Sequence, residues 1–158
     1  MKTEQNTDLI PLKVHGVLVD PNTDTQIVIL RDETNEDILP IWVGTAEGTS
    51  IRSALEGHVH ARPMSHDLIT SLTNHLGMQI SHVTLIDVKN NTYFANVHIA
   101  SNGIQQTVDS RPSDAIALAL RTKSPIYVTQ DVLKRCSREN LDAWLAKLTP
   151  QEPQQSEI

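Results

Sequence analysis

"ISHVTLIDVKNNTYFANVHIASNGIQQTVDSRPSDAIALALR", residues 80–121, decides the fold. "ISHVTLIDV" and "TYFANVHIA" are rich in β-branched and aromatic residues and flank "KNN", an Asn-rich hairpin turn. "SNG" then turns the chain into a third strand, "IQQTV". "RPSDAIALALR" changes the pattern to a helix that is apolar on nearly every side, with Ser113 as its expected cap and Asp114 at its first position. Three strands followed by a buried helix form one structural unit.

The upstream half follows the same plan. "LKVHGVLV" and "QIVIL" are strands separated by the turn "DPNTDT", and "ILPIWVG" suits a third, buried strand. A helix is expected over 46–56 with Gly57 as its stop. After "HVHARPM", Ser65 is expected to cap a second helix, whose Leu68, Ile69, Leu72 and Leu76 share one face before Gly77 ends it. Downstream of residue 121, "PIYVT" reads as a short strand and 130–136 as a helical turn or two. "SRENLDAWLAKL" reads as a last helix capped by Ser137, with Leu141, Trp144, Leu145 and Leu148 at helical spacing. Strand runs that feed helices predict an α+β fold with a largely antiparallel sheet and packed helices. The repeated plan suggests internal duplication of a three-strand-plus-helix unit. The expected layout is a flexible N-terminus over 1–9, a single domain over 10–148 and a disordered polar tail over 149–158.

Composition narrows the function. The 158 residues carry a net charge of −6, which argues against sequence-blind adhesion to nucleic acid through the overall field. Aromatics make up only 3%, so no stacking platform for single strands is evident. No apolar run approaches a membrane span, no export signal opens the chain, and Cys136 has no partner cysteine. A cytoplasmic location is the expectation. Arg121, Lys123, Lys134, Arg135 and Arg138 form a later basic region that a solvated surface or a phosphate backbone would explain.

The chemistry concentrates at two helix mouths. In "RPMSHD", Arg62 precedes a stiffening proline, and His66 and Asp67 lie in the first helical turn. In "DSRPSDA", Asp109 and Arg111 precede Asp114. These charges either anchor the helices as salt bridges or, if the mouths converge, form a pocket of guanidinium groups and carboxylates. Such a pocket suits a phosphate, and its acids suit Mg²⁺ or Mn²⁺. His58, His60, His66 and Asp67 offer a weaker alternative as a histidine metal site. No Gly-rich phosphate loop, zinc-finger spacing or nucleophile elbow is present.

Three motifs in order, "ILPIWVGTAEGTSIRSALEG", "RPMSHDLITSLTNHLG" and "VDSRPSDAIALALRTKSPIYVTQDVL", resemble the bifunctional nuclease domain family over about Leu12 to Leu133. The resemblance implies hydrolysis of phosphodiester bonds in both DNA and RNA, and an α+β fold with internal duplication. The matching positions are Arg62, His66, Asp67, Asp109, Arg111, Ser113 and Asp114. On that reading Asp67, Asp109 and Asp114 hold a divalent cation, Mg²⁺ or Mn²⁺, and His66 activates water. Arg62, Arg111 and Ser113 bind the substrate phosphate. Gly48 and Thr49 depart from the helix formers usual in the family, which predicts a looser helix there. The helical-hairpin module that some members carry has no counterpart beyond one more helix and the polar tail. The rival expectation is a non-catalytic binding or regulatory module for a small anion, nucleic acid or a protein partner. Self-association into a homo-oligomer is expected from exposed strand edges.

Overall fold

The computed structural model describes residues 8–34 and 37–136. The helix expected over 137–148 and the tail expected over 149–158 lie outside the described residues, as do residues 1–7 of the N-terminus expected over 1–9, of which Leu9 opens the first strand.

The first half forms β1 (Leu9–Val19), β2 (Gln26–Arg31), β3 (Ile38–Val43), α1 (Thr45–Leu55) and α2 (Ser65–His75). The second forms β4 (Gln79–Lys89), β5 (Thr92–Ser101), β6 (Ile104–Ser110), α3 (Pro112–Thr122), β7 (Ile126–Thr129) and α4 (Gln130–Arg135). β1–β2–β3 and β4–β5–β6 are antiparallel meanders. The tight turns between the later strands follow from their residues. Asn90 and Asn91 both adopt positive φ, as do Asn102 and Gly103, the backbone that a two-residue hairpin with right-twisted strands requires.

β7 joins the two meanders into one seven-stranded sheet of order β3-β2-β1-β7-β4-β5-β6. It runs antiparallel to β1 and parallel to β4, so the sheet is mixed, with a single parallel seam among the described strands. The α+β expectation holds, and each half is a three-strand meander followed by a helix.

The core is aliphatic, as the low aromatic content requires. Ile27, Leu30, Leu39 and Ile41 from the first meander, Val83 and Leu85 from β4, and Val128 from β7 are all buried. α3 sits centrally, touching α1, α2, β4 and β5. Ala115, Ile116, Ala117, Leu118 and Ala119 are buried in succession. Its alanines let neighbouring backbones approach, which suits a helix packed by other elements on several sides. Cys136 is buried and free, and Tyr93 Oη donates to its Sγ at 3.2 Å.

Three local expectations need correction. Ser113 does not cap α3: Arg111 is the N-cap and Pro112 the first helical residue. Proline's fixed φ suits that first position and starts the helix two residues early, leaving Ser113 inside the turn and buried. Ser65 likewise lies inside α2, because Met64 is its N-cap and the Asp67 carboxylate accepts the Met64 N–H at 2.9 Å. Gly48 does not loosen α1, which runs unbroken through it. Gly48 N donates to Gly44 O at 2.9 Å, and the missing side chain leaves room for Gln26 of β2, whose Cβ lies 2.8 Å from where a Gly48 Cβ would stand.

α2 is amphipathic as expected, but its apolar stripe faces outward. Leu68, Leu72 and Leu76 are 53%, 53% and 69% exposed, and the buried residue of the helix is His66. Polar bonds set the roll of the helix: His66 reaches Asp114 and Asp67 reaches Arg121, both on α3. With those two side chains turned inward, the leucines must point away.

Candidate active site

The two helix mouths do converge, and a third helix joins them. His66 in the first turn of α2 places Nε2 2.8 Å from Asp114 Oδ1 on α3. Its other ring nitrogen, Nδ1, lies 2.6 Å from Ser50 Oγ on α1. Asp114 is held in turn by Arg111, which donates through Nε to Oδ2 at 2.8 Å and through Nη2 to Oδ1 at 3.1 Å. Arg111 Nη1 also donates to Glu47 Oε1 at 3.1 Å. On the far side of Ser50, Arg121 Nη2 donates to Ser50 Oγ at 3.1 Å and Arg121 Nε donates to Asp67 Oδ1 at 2.8 Å. Seven side chains therefore form one continuous chain of bonds: Asp67, Arg121, Ser50, His66, Asp114, Arg111 and Glu47.

Charge fixes the direction of the protons. Burial alone pushes the Asp114 carboxyl up, but hydrogen bonds from Arg111 and His66, with the positive charge of Arg111, outweigh it and hold the group below the usual carboxylate range. A carboxylate only accepts, so Nε2 of His66 carries the hydrogen in that bond. In the neutral imidazole Nδ1 then accepts, and Ser50 Oγ–H donates to it. Asp67 is also held below its ordinary range, chiefly by the Arg121 hydrogen bond and then by the Met64 N–H. The same pairing, Asp114 first, pushes Arg111 up.

A cleft of about 540 Å³ opens beside this chain. Glu47, Ser50, His66, Asp109, Arg111 and Asp114 line its polar end. Ile69, Ile80, Val97, Ile99, Val108 and Leu118 supply the apolar walls. An apolar body with a few convergent polar groups is the usual form of a ligand site, and its size is that of small-molecule sites.

The expected site residues are distributed unequally. His66, Asp109, Arg111 and Asp114 share the cleft. Asp67 belongs to the bond chain but lies behind Ser50 and outside the cleft lining. Arg62 is exposed on the segment ahead of α2. Ser113 is buried and lines a neighbouring hollow with Trp42 and Arg111. The sequence pattern does not mark Ser50, Glu47 or Arg121 as site residues. The basic region including Arg121 is not one open surface: Arg121 is 10% exposed and paired with Asp67, while Arg135 pairs with Asp87 and Asp131.

The carboxylates of Asp67 and Asp114 accept hydrogen bonds from Arg121, the Met64 N–H, Arg111 and His66, so a divalent cation would compete with two guanidinium groups for them. Among the described residues no group of three or more His, Cys, Asp or Glu side chains is placed to hold a metal ion. His58 and His60 contact each other edge to face at 4.7 Å between centroids and do not join His66 in such a group. No helix of the described residues is long and apolar enough to cross a membrane.

Sequence comparison supplies the family. Uncharacterised proteins from Mycobacterium tuberculosis are 35% identical to this chain over 122 residues, covering 77% of it and 73% of their own length. Bifunctional nuclease 1 of Oryza sativa subsp. indica is 26% identical over 109 residues, and bifunctional nuclease 2 of Arabidopsis thaliana 27% identical over 128. The matches cover 33% and 39% of those plant proteins, so the chain spans between a third and two fifths of their length. The family model for the bifunctional nuclease domain matches residues 28–140, a span that contains Ser50, His66 and Asp114, and the chain belongs to the bifunctional nuclease domain family.

Proposed function

We propose that the protein hydrolyses phosphodiester bonds in DNA and RNA at this cleft. The observation that carries the reading is the Ser50–His66–Asp114 bond chain ending in the cleft lining. Both ring nitrogens of His66 are engaged and the residue is buried, so its basicity reaches a substrate through the Ser50 hydroxyl. Asp114 fixes the tautomer and would stabilise the imidazolium that forms. Arg111, 63% exposed, is the phosphate-binding group, and the exposed Arg62 ahead of α2 is a second candidate for binding substrate. Asp109 on β6 borders the bound substrate, Ser113 supports Arg111 from the adjoining hollow, and Asp67 positions Arg121. The apolar walls suit the sugar and base of a nucleotide.

Family membership supports this reading, as do the plant relatives' names. The two matching halves fit descent from a duplicated unit. The outward leucines of α2, together with the exposed Ile104 and Val108 of the edge strand β6, support a homo-oligomer. The buried free cysteine suits the cytoplasm.

The test is cleavage of labelled single-stranded RNA and DNA by wild type and by a folded His66→Asn variant, with Mg²⁺, Mn²⁺ or EDTA. Cleavage by wild type that the variant loses supports the reading, and equal cleavage by both refutes it. Survival in EDTA is expected from carboxylates already bound to guanidinium groups. A strict requirement for added cation would mean that these pairs open to admit one.

A further inference from the structure

We propose that Ser50 is the nucleophile of this cleft and that the reaction passes through a phosphoryl ester on its Oγ. Ser50, His66 and Asp114 stand in the order nucleophile, base and orienting acid, at 2.6 and 2.8 Å. Relative to the familiar serine hydrolases the two ring nitrogens are exchanged, with Nδ1 facing the serine and Nε2 the carboxylate. Such constellations are defined by roles and geometry, so the exchange preserves the chemistry.

Three observations separate Ser50 from a serine that merely ties helices together. Several threonines of these helices bond back to their own turn, Thr49 to Thr45 O at 2.8 Å, Thr70 to His66 O at 3.0 Å and Thr122 to Leu118 O at 2.9 Å, while Thr45 at the start of α1 ties the helix to Asp24 O. Ser50 gives its hydrogen to an imidazole on another helix instead. A guanidinium stands 3.1 Å from its oxygen, and Arg121, 10% exposed, is fixed there by Asp67 and the Ala117 carbonyl. Positive charge at that distance favours the developing alkoxide. Finally, Ser50 lines the cleft, where an attacked atom can approach it.

The steps balance without a further reactant. Ser50 Oγ attacks phosphorus while its proton passes to His66 Nδ1. The bond from phosphorus to the departing nucleoside oxygen breaks, and that oxygen takes the proton from Nδ1. A water then attacks the same phosphorus and gives its proton to Nδ1. The P–Oγ bond breaks and the proton returns to Oγ, leaving a phosphomonoester, an alcohol and the free serine. With nucleic acid as the natural substrate, this rests on the phosphodiesterase reading above; the reactivity of Ser50 itself does not.

Diisopropyl fluorophosphate tests that reactivity alone. It is a neutral phosphoryl electrophile whose apolar arms suit the cleft walls. Incubated with the full chain and followed by intact mass and peptide mapping, it should form one adduct, on Ser50. Ser50→Ala should remove the adduct, and Asp114→Asn, checked for folding by circular dichroism, should slow labelling about 100-fold, the low end of a general base's contribution. An unlabelled wild type, or labelling unchanged in Ser50→Ala, overturns the proposal. Cleavage of a phosphorothioate diester of defined configuration gives the second readout. Two displacements at phosphorus retain configuration, whereas inversion would mean direct attack by water and would also overturn it. A labelled Ser50 without nucleic-acid cleavage would uphold the nucleophile and reject the nuclease.

Discussion

Replacing Asp114 with Asn changes one oxygen to an NH₂ group and removes one charge, yet it should disturb both stability and catalysis by separable amounts. The carboxylate accepts three bonds, from His66 Nε2 at 2.8 Å and from Arg111 at 2.8 and 3.1 Å. Hydrogen bonds to charged groups contribute about 1.5–3 kcal/mol when buried. Asp114 is 29% exposed and Arg111 63%, so solvent screens part of that, and Asn keeps some bonding. A net loss of about 1–3 kcal/mol follows, or roughly 2–10 °C in Tm for a domain of this size. The catalytic effect is larger. An amide can present its NH₂ to Nε2, which moves the ring hydrogen to Nδ1 and removes the acceptor for Ser50 Oγ–H. Loss of a correctly held base lowers kcat by about 10²–10⁴. The assay pairs steady-state cleavage of a labelled dinucleotide with thermal melting of the same preparation. A folded Asp114→Asn protein whose kcat stays within about threefold of wild type would refute the relay, whatever its Tm.

Other consequences are open to direct measurement. Gly48→Ala adds a good helix former, but the new Cβ would meet Gln26 Cβ at 2.8 Å, so Tm should fall by about 2–8 °C; a rise would show that β2 yields easily. Asp67 has a folded pKa below its unfolded value, so its stabilisation is complete above the unfolded carboxylate range and is lost as pH falls through the depressed value. The Tm gap between wild type and Asp67→Asn should therefore narrow as pH drops below about 4, and a gap independent of pH would contradict the pairing with Arg121. Leu68→Glu with Leu72→Glu places charge on exposed positions of α2, so it should cost little stability while reducing the mass measured by light scattering to that of one chain. An unchanged assembly would move the contact elsewhere.

Residues 80–121 illustrate how far local pattern carries. The two Asn-containing turns, the three strands and the apolar helix all follow from residue type, because hairpin turns and buried helices are written in neighbouring positions. The caps of α2 and α3 fall one and two residues before the serines that residue preference favours, because the Asp67–Met64 bond and Pro112 compete with that preference. The partners of the site were less legible. Asp114 and Arg121 lie seven apart on α3 and so share a stripe of an otherwise apolar helix, a signal that both face something polar. Ser50 carries almost no such mark: it is 16 residues from His66 and 71 from Arg121, and only the packing of α1 against α3 brings it to them. The outward roll of α2 was likewise hidden, since an amphipathic pattern says that a face is apolar and leaves open which neighbour covers it.

The position of β7 bears on how the chain folds. Each meander closes on near neighbours in sequence, but β1 finds its other edge only at residues 126–129, more than a hundred positions later. During synthesis, both halves can therefore gain local order while β1 and β4 wait with open edges. β7 acts as a keystone that closes both gaps at once. Such distant pairing raises contact order and slows the final step relative to the meanders. A chain interrupted before Ile126 would present two unsatisfied strand edges to its neighbours, a template for association between incomplete copies.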